Sequence, residues 1–237
     1  MPADTSKSQP DFAATFERVA QRYRHCGRFA RGYVAAKLRR DPVHHVLLAL
    51  ASNESFGDVV DIGCGRGQLA VALLEAGLAR SVLGLDCHAG HLEQARRAAT
   101  GLAFTAAMQD LAEAQSVPHA DTVLLIDVLY QLESAAQMAL LRATASAARG
   151  LILIRMLDPD RGMRSALTIG LERLMRRVSP HAGRHVDAVP VARIAATLSD
   201  AGFVVSITPC WQGTPFANVL VTARRLADPR HGNGGSD

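Results

Sequence analysis

Apolar positions along this chain follow two rhythms, and their alternation sets the expected architecture. Short, mostly apolar runs at Val59–Ile62, Ser81–Asp86, Leu102–Ala106, Asp121–Ile126 and Leu151–Arg155 read as strands covered on both faces. Between them, Gln68–Ala76, His88–Ala99 and a segment opening at Ser134 favour helix, the last with Ser134 and Gln137 in capping-box spacing. Strands alternating with helices in this way predict an α/β, Rossmann-like doubly wound sheet that takes its ligands beyond the carboxyl ends of the strands. Phe203–Ile207 and Asn218–Ala223 close the chain as two further strands, separated by a loop containing Trp211.

The flanking segments carry the other rhythm. Phe12, Phe16, Val19 and Tyr23 recur at helical spacing, so a helix begins near Phe12, loosened at Gly27 and Gly32. Asp41 followed by Pro42 is a cap and a first-turn proline for a helix that carries Val46, Leu47 and Leu50 inward. Residues 12–52 therefore form a helical prelude to a main domain spanning 53–227. Within that domain a helical insert is expected at about 157–189, with Leu167, Leu171, Leu174 and Val178 on one face and a loop holding His181, Arg184 and His185. Pro190–Ala201 is a further helix, ended by Gly202. Residues 1–11 and 228–237 are polar and expected to be disordered.

Composition narrows the class. With 237 residues, 49% of them hydrophobic, the chain suits one generous domain with a full core. No apolar run approaches the ~20 residues of a membrane helix, and Met1–Asp11 lacks the apolar stretch of a secretory signal. Cys26, Cys64, Cys87 and Cys210 are scattered without a C-x-x-C pair, so neither disulfides nor a metal site are expected, and the cytoplasm is the expected compartment. The net charge of +4 is mild but uneven, because Arg18–Arg40 contains basic residues and no Asp or Glu. That face either meets an acidic partner or is simply solvated.

The candidate chemistry centres on Asp58–Leu69, a strand running through Gly63, Gly65 and Gly67 into a helix. A dinucleotide site reads G-x-G-x-x-G over a pyrophosphate, whereas this turn is G-x-G-x-G with Asp61 just before it. A carboxylate there repels a pyrophosphate and suits an ammonium or sulfonium. Asp86, at the end of the second strand, can accept ribose hydroxyls or cap the following helix. Cys87 and His88 follow it, Asp110 lies after the third strand, and Asp127 follows the fourth.

The segment Val59–Leu69 resembles the first motif of the class I S-adenosylmethionine-dependent methyltransferases, and the likeness extends over about Val59–Arg155. It implies S-adenosylmethionine as cofactor, with its amino-acid end at Asp61, Gly63, Cys64 and Gly65. Asp86 would take the ribose with Cys87 beside the adenine, Asp110 the adenine amine with the Leu111 backbone nearby, and Asp127 would face the methyl-transfer cleft. It also implies a seven-stranded, mostly parallel sheet with an antiparallel last strand. No Asn/Asp-Pro-Pro-aromatic signature follows the fourth strand, so nucleic acid is not the expected substrate. The expected acceptor is a small molecule, methylated on an oxygen of an aromatic or acyl acid, free or on an acidic acyl carrier protein. The arginine-rich prelude and Trp211–Val219 resemble methyltransferases found beside bacterial aryl-polyene and polyketide-type pathways. Tyr130, His181 and His185 are the candidate general bases, with His25 a further one if the prelude descends as a lid. A nicotinamide-dependent oxidoreductase is the alternative enzyme, disfavoured by the turn spacing and Asp61. A binding module that keeps the cofactor fold without catalysis is the other.

Overall fold

A computed structural model of the chain describes residues 12–113, 116–158, 189–212 and 217–226. One 7-stranded sheet is built from β1 (Asp58–Ile62), β2 (Ser81–Asp86), β3 (Phe104–Met108), β4 (Ala120–Ile126), β5 (Ala148–Leu157), β6 (Phe203–Pro209) and β7 (Asn218–Arg225). Its order is β3-β2-β1-β4-β5-β7-β6, parallel except for β7, which runs antiparallel between β5 and β6. Winding proceeds outward in opposite directions from β1 and β4. The carboxyl ends of those two strands therefore part around a crevice, where open α/β sheets receive their ligands.

Helices cover both faces: α1 (Ala13–Arg22), α2 (Arg28–Arg40), α3 (Pro42–Asn53), α4 (Gln68–Glu75), α5 (Ala89–Ala98), α6 (Ser134–Ala147) and α7 (Val191–Asp200). The two-residue period of the strands divides the core. Val60, Ile62, Val123, Leu125, Ile152 and Ile154 pack in one cluster with residues of α6 and α7. Val59, Leu124, Leu151 and Leu153 pack in the other with residues of α1 to α4. Continuing the second face along each strand places Asp61 after Val59 and Arg155 after Leu153, both toward the prelude.

Three details differ from the sequence reading. The prelude breaks into two helices at Gly27, while Gly32 lies inside α2. The third strand starts two residues late, because Gly101 (φ +82°) and the Leu102 N–H bonded to the Ala99 carbonyl (2.8 Å) prolong the preceding turn. Helix α6 begins at Ser134 with Glu133, one residue earlier, in the cap position. Gln137 turns inward and donates Nε2 to the Leu132 carbonyl at 2.9 Å. The expected insert helix, together with His181 and His185, falls outside the described residues.

The prelude is welded to the main domain. The Tyr23 hydroxyl, fully buried at the end of α1, donates to the Arg66 carbonyl in the glycine-rich turn at 2.6 Å. Arg22 donates to Glu75 at 2.8 Å and to the Ala98 and Thr100 carbonyls. His44 of α3 is 2% exposed, and neither ring nitrogen has a hydrogen-bond partner. Burial, opposed by Asp41, pushes its pKa down to about 4.

That depression gives a signed expectation. His44 stays neutral in the folded protein, while the unfolded chain takes up the proton near pH 6.5, so stability is full above that pH and falls as pH drops toward 4. The loss is roughly 3 kcal/mol from the size of the shift. Urea melts should show His44→Phe gaining about that much over the parent protein between pH 7 and pH 4; an unchanged difference would contradict the assignment.

Candidate active site

The crevice is a cleft of about 420 Å³ walled by β1, β2, β4 and the prelude. Its back is the turn after β1. Gly63 and Gly65 both hold positive φ (73° and 56°), and a side chain on Gly63 would collide with Val128. At Gly65 nothing stands within 4 Å of where a Cβ would be, which leaves the backbone open to approach. The N–H groups of Gly63, Cys64 and Gly65 are committed to protein acceptors. Gly63 and Cys64 donate to the Leu85 carbonyl (2.7 and 3.0 Å), and Gly65 donates to Asp86 Oδ2 at 2.8 Å. Such a turn offers no cradle for a pyrophosphate, which needs those N–H groups free.

What it presents instead is negative charge. Asp61 is 3% exposed, and burial, with the Asp86 carboxylate second, pushes its pKa up to about 7. A cation arriving beside it would restore the ionised form. Asp86 accepts from the His88 N–H at 2.9 Å through Oδ1, so it does cap α5 while also holding Gly65. Each of its oxygens retains acceptor capacity for a ligand hydroxyl. The Gln68 amide oxygen, in the same wall, is buried without a partner. Burial, and after it the neighbouring Asp61 and Asp86 carboxylates, hold the Cys64 thiol far above the ordinary range. It is un-ionised and no nucleophile.

The floor is an ion network that joins the prelude to the strand ends. Arg155, on β5, grips Asp127 with two parallel bonds (Nε to Oδ1 2.8 Å, Nη2 to Oδ2 2.6 Å) and reaches Asp41 through Nη1. Lys37 Nζ lies 2.9 Å from Asp41 Oδ2 and 3.5 Å from Asp127 Oδ2. Asp41 also caps α3, accepting from the Val43 N–H at 3.2 Å. Although burial opposes its ionisation, Arg155 and Lys37 hold the Asp41 carboxyl well below the usual carboxylate range. Asp127 sits at φ 61°, a costly conformation for a residue with a side chain, and the bidentate guanidinium holds it there.

Of the sequence-predicted residues, Asp61, Gly63, Cys64, Gly65, Asp86 and Asp127 wall this one cleft. Cys87 is exposed beside it, with Sγ 3.1 Å from His88 Nδ1. Asp110 is exposed and accepts from the Ala112 N–H at 2.9 Å, while Leu111 packs against the core. Tyr130 is buried in the α6-side core, and His25 Nδ1 bonds the Arg22 carbonyl at 2.9 Å. Sequence reasoning missed Lys37, Arg155, Phe29 and Tyr33. Phe29, Tyr33 and Lys37 recur every four residues on α2 and line the cleft together. Tyr33 and Lys37 also have the Tyr-x-x-x-Lys spacing that would favour an oxidoreductase, but Lys37 is ion-paired and the pair precedes the glycine-rich turn.

Residues 59–150 match a family model described as a methyltransferase domain. Trans-aconitate 2-methyltransferase of Methylobacterium nodulans is 33% identical over 186 residues, 74% of this chain and 67% of that protein. The chain is a class I S-adenosylmethionine-dependent methyltransferase. Its fold matches magnesium protoporphyrin IX methyltransferase of Synechocystis PCC 6803 with bound S-adenosylhomocysteine (TM-score 0.62, 21% identity, covering 90% of this chain and 95% of that one). It also matches an O-methyltransferase family protein from Burkholderia thailandensis (TM-score 0.60, 18% identity, covering 90% and 69%). S-adenosylmethionine is the methyltransferase's cofactor, and the acidic back wall with its committed N–H groups fits a ligand cationic at its amino-acid end.

If Asp61 takes that cationic end, cofactor affinity depends on pH with a fixed sign. Below pH 7 Asp61 is protonated in the free protein, so binding should weaken by up to about tenfold per pH unit as pH falls from 7 to 5. Calorimetry across that range checks this, and Asp61→Asn should bind weakly with that dependence gone. A parent protein whose affinity is flat with pH would contradict the placement.

Proposed function

We infer that the methyltransferase acts on a small-molecule acid and transfers the methyl group to a carboxylate oxygen of an aromatic or acyl acceptor. The observation that carries this reading is the α2 stripe. Phe29 (80% exposed) and Tyr33 (42% exposed) form an open aromatic wall that runs down to the Lys37 ammonium in the same cleft as Asp61 and Asp86. A planar or apolar body can lie along the two rings with its acidic end toward Lys37, which keeps a donor beyond its two carboxylate partners. Asp41 and Asp127, the carboxylates at that end, are both engaged by Arg155 and Lys37, so neither is a free base. An acceptor already ionised at neutral pH needs none.

The bound cofactor supplies an already activated methyl on a sulfonium. The chain's work is then alignment and exclusion of water. The amino-acid end is held at Asp61–Gly65 and the ribose at Asp86, while Cys87 and the Asp110–Leu111 loop flank the adenine. The relative from Methylobacterium nodulans supports the acid reading, since its name gives a tricarboxylate, trans-aconitate, as its acceptor.

Arg24, Arg28, Arg31, Arg39 and Arg40 are exposed around the same helices. They suit an acidic acyl carrier protein as partner for carrier-bound acids that keep a second carboxylate. A cytoplasmic setting accords with four free cysteines. Among the described residues, no helix is long and apolar enough to cross a membrane.

The test is methyl transfer from labelled S-adenosylmethionine to a panel of aromatic and unsaturated acids, free and carrier-bound, against matched alcohols, amines and RNA. Base-labile methyl esters are the expected product. Phe29→Ala and Tyr33→Ala should each raise KM about two- to tenfold, the range of a lost aromatic contact, with kcat moved less. Label appearing on amines or RNA but on no acid would overturn the reading.

A further inference from the structure

Where β2 passes into α5, at the outer edge of the cleft, three metal-ligating side chains converge. Asp86 ends the strand, His88 is the N-cap of α5 and His91 lies in its first turn. One donor atom from each lies within 4.8 Å of the others. Asp86 Oδ1 and His88 Nδ1 are 3.4 Å apart. The His88 and His91 rings stack at 4.9 Å with planes 22° apart, as residues three apart on one helix turn can.

These separations approach those of a chelate. Zinc bonds of about 2.0–2.1 Å to nitrogen and oxygen put neighbouring ligands of a tetrahedron roughly 3.3 Å apart. The Asp86–His88 edge already has that length, and small side-chain rotations would bring in His91. The carboxylate is also fixed in advance, as metal-site carboxylates are by their outer hydrogen bonds, here from the His88 and Gly65 N–H groups. Two imidazoles and one carboxylate select zinc, cobalt, nickel or copper over magnesium or calcium. Nearby Arg66 opposes a cation, but it is drawn aside by Gln94 and the Tyr33 ring.

We propose that Asp86, His88 and His91 form a binding site for a divalent transition metal of zinc's class, and that metal bound there excludes S-adenosylmethionine from the cleft. The exclusion rests on the reading that Asp86 holds the cofactor ribose, because one carboxylate cannot serve both ligands fully. The site makes the methyltransferase sensitive to free transition metal without any metal taking part in methyl transfer.

Zinc calorimetry in chelator-treated buffer, followed by S-adenosylhomocysteine titration at fixed zinc, tests both halves. One zinc should bind per chain, and His91→Ala should weaken it about tenfold or more, at least the cost of losing an outer-sphere partner. With zinc at ten times its own Kd, the apparent Kd of S-adenosylhomocysteine should rise about tenfold. The exposed Cys87 is the rival ligand. Zinc binding that survives His91→Ala but is lost in Cys87→Ser would overturn the site, and zinc bound with cofactor affinity untouched would overturn the exclusion. If Asp86→Asn loses zinc but keeps cofactor affinity, the exclusion is overturned and the fault lies in the cofactor placement, not the metal ligands.

Discussion

A guanidinium buried at the end of a strand has to be neutralised where it stands, and the upper half of this molecule is arranged around that requirement. Arg155 has 6% of its side chain exposed. Desolvating it alone would cost several kcal/mol. Asp127, just after β4, and Asp41, at the start of α3, surround it, and Lys37 from α2 balances the second carboxylate. Four charges sum to zero, and each comes from a different element or its cap. The network therefore fixes α2 and α3 over the carboxyl ends of β4 and β5, and the cleft gains its second wall. Asp127 is held in a left-handed conformation as part of the same arrangement. Removing one member would leave the others buried and uncompensated, a loss of about 3–5 kcal/mol, with the cleft's wall loosened as well.

Cofactor choice follows from a second constraint, where the hydrogen bonds of the glycine-rich turn go. In a phosphate-binding turn the backbone N–H groups face the ligand. Here Leu85 and Asp86 have taken them, and Asp61 lies buried behind. The glycines remain necessary for positive φ and for the Val128 contact, but the turn's electrostatic sign is reversed. A dinucleotide's pyrophosphate would meet two carboxylates, with the Gly63, Cys64 and Gly65 N–H groups already taken. An aminoacyl, sulfonium-bearing ligand meets the charges it requires.

Much of this was legible in the sequence, for identifiable reasons. The strands show because parallel-sheet strands are covered on both faces, so their apolar runs are nearly unbroken, and the helices between them keep a clear period. Asp61, Asp86 and Asp127 stand out because each is a carboxylate at or beside the end of such a run. Arg155 did not, since a basic residue closing an apolar strand reads as the strand meeting solvent. Only its parity with Leu151 and Leu153 says that it faces the prelude. Asp41 was legible as a helix cap, but its pair with Arg155 joins residues 114 apart in sequence. Phe29, Tyr33 and Lys37 were visible as four-residue spacing, yet nothing local distinguishes a stripe facing a cleft from one facing the core.

Everything proposed for the cleft depends on how the cofactor lies in it. A crystal structure of the protein with S-adenosylhomocysteine would show this directly. The ribose hydroxyls should lie on the Asp86 carboxylate, the amino group toward Asp61 and the Gly63–Gly65 turn, and the sulfur facing the α2 stripe. Ligand bound with its ribose away from Asp86, or with its amino-acid end directed out of the turn, would contradict it.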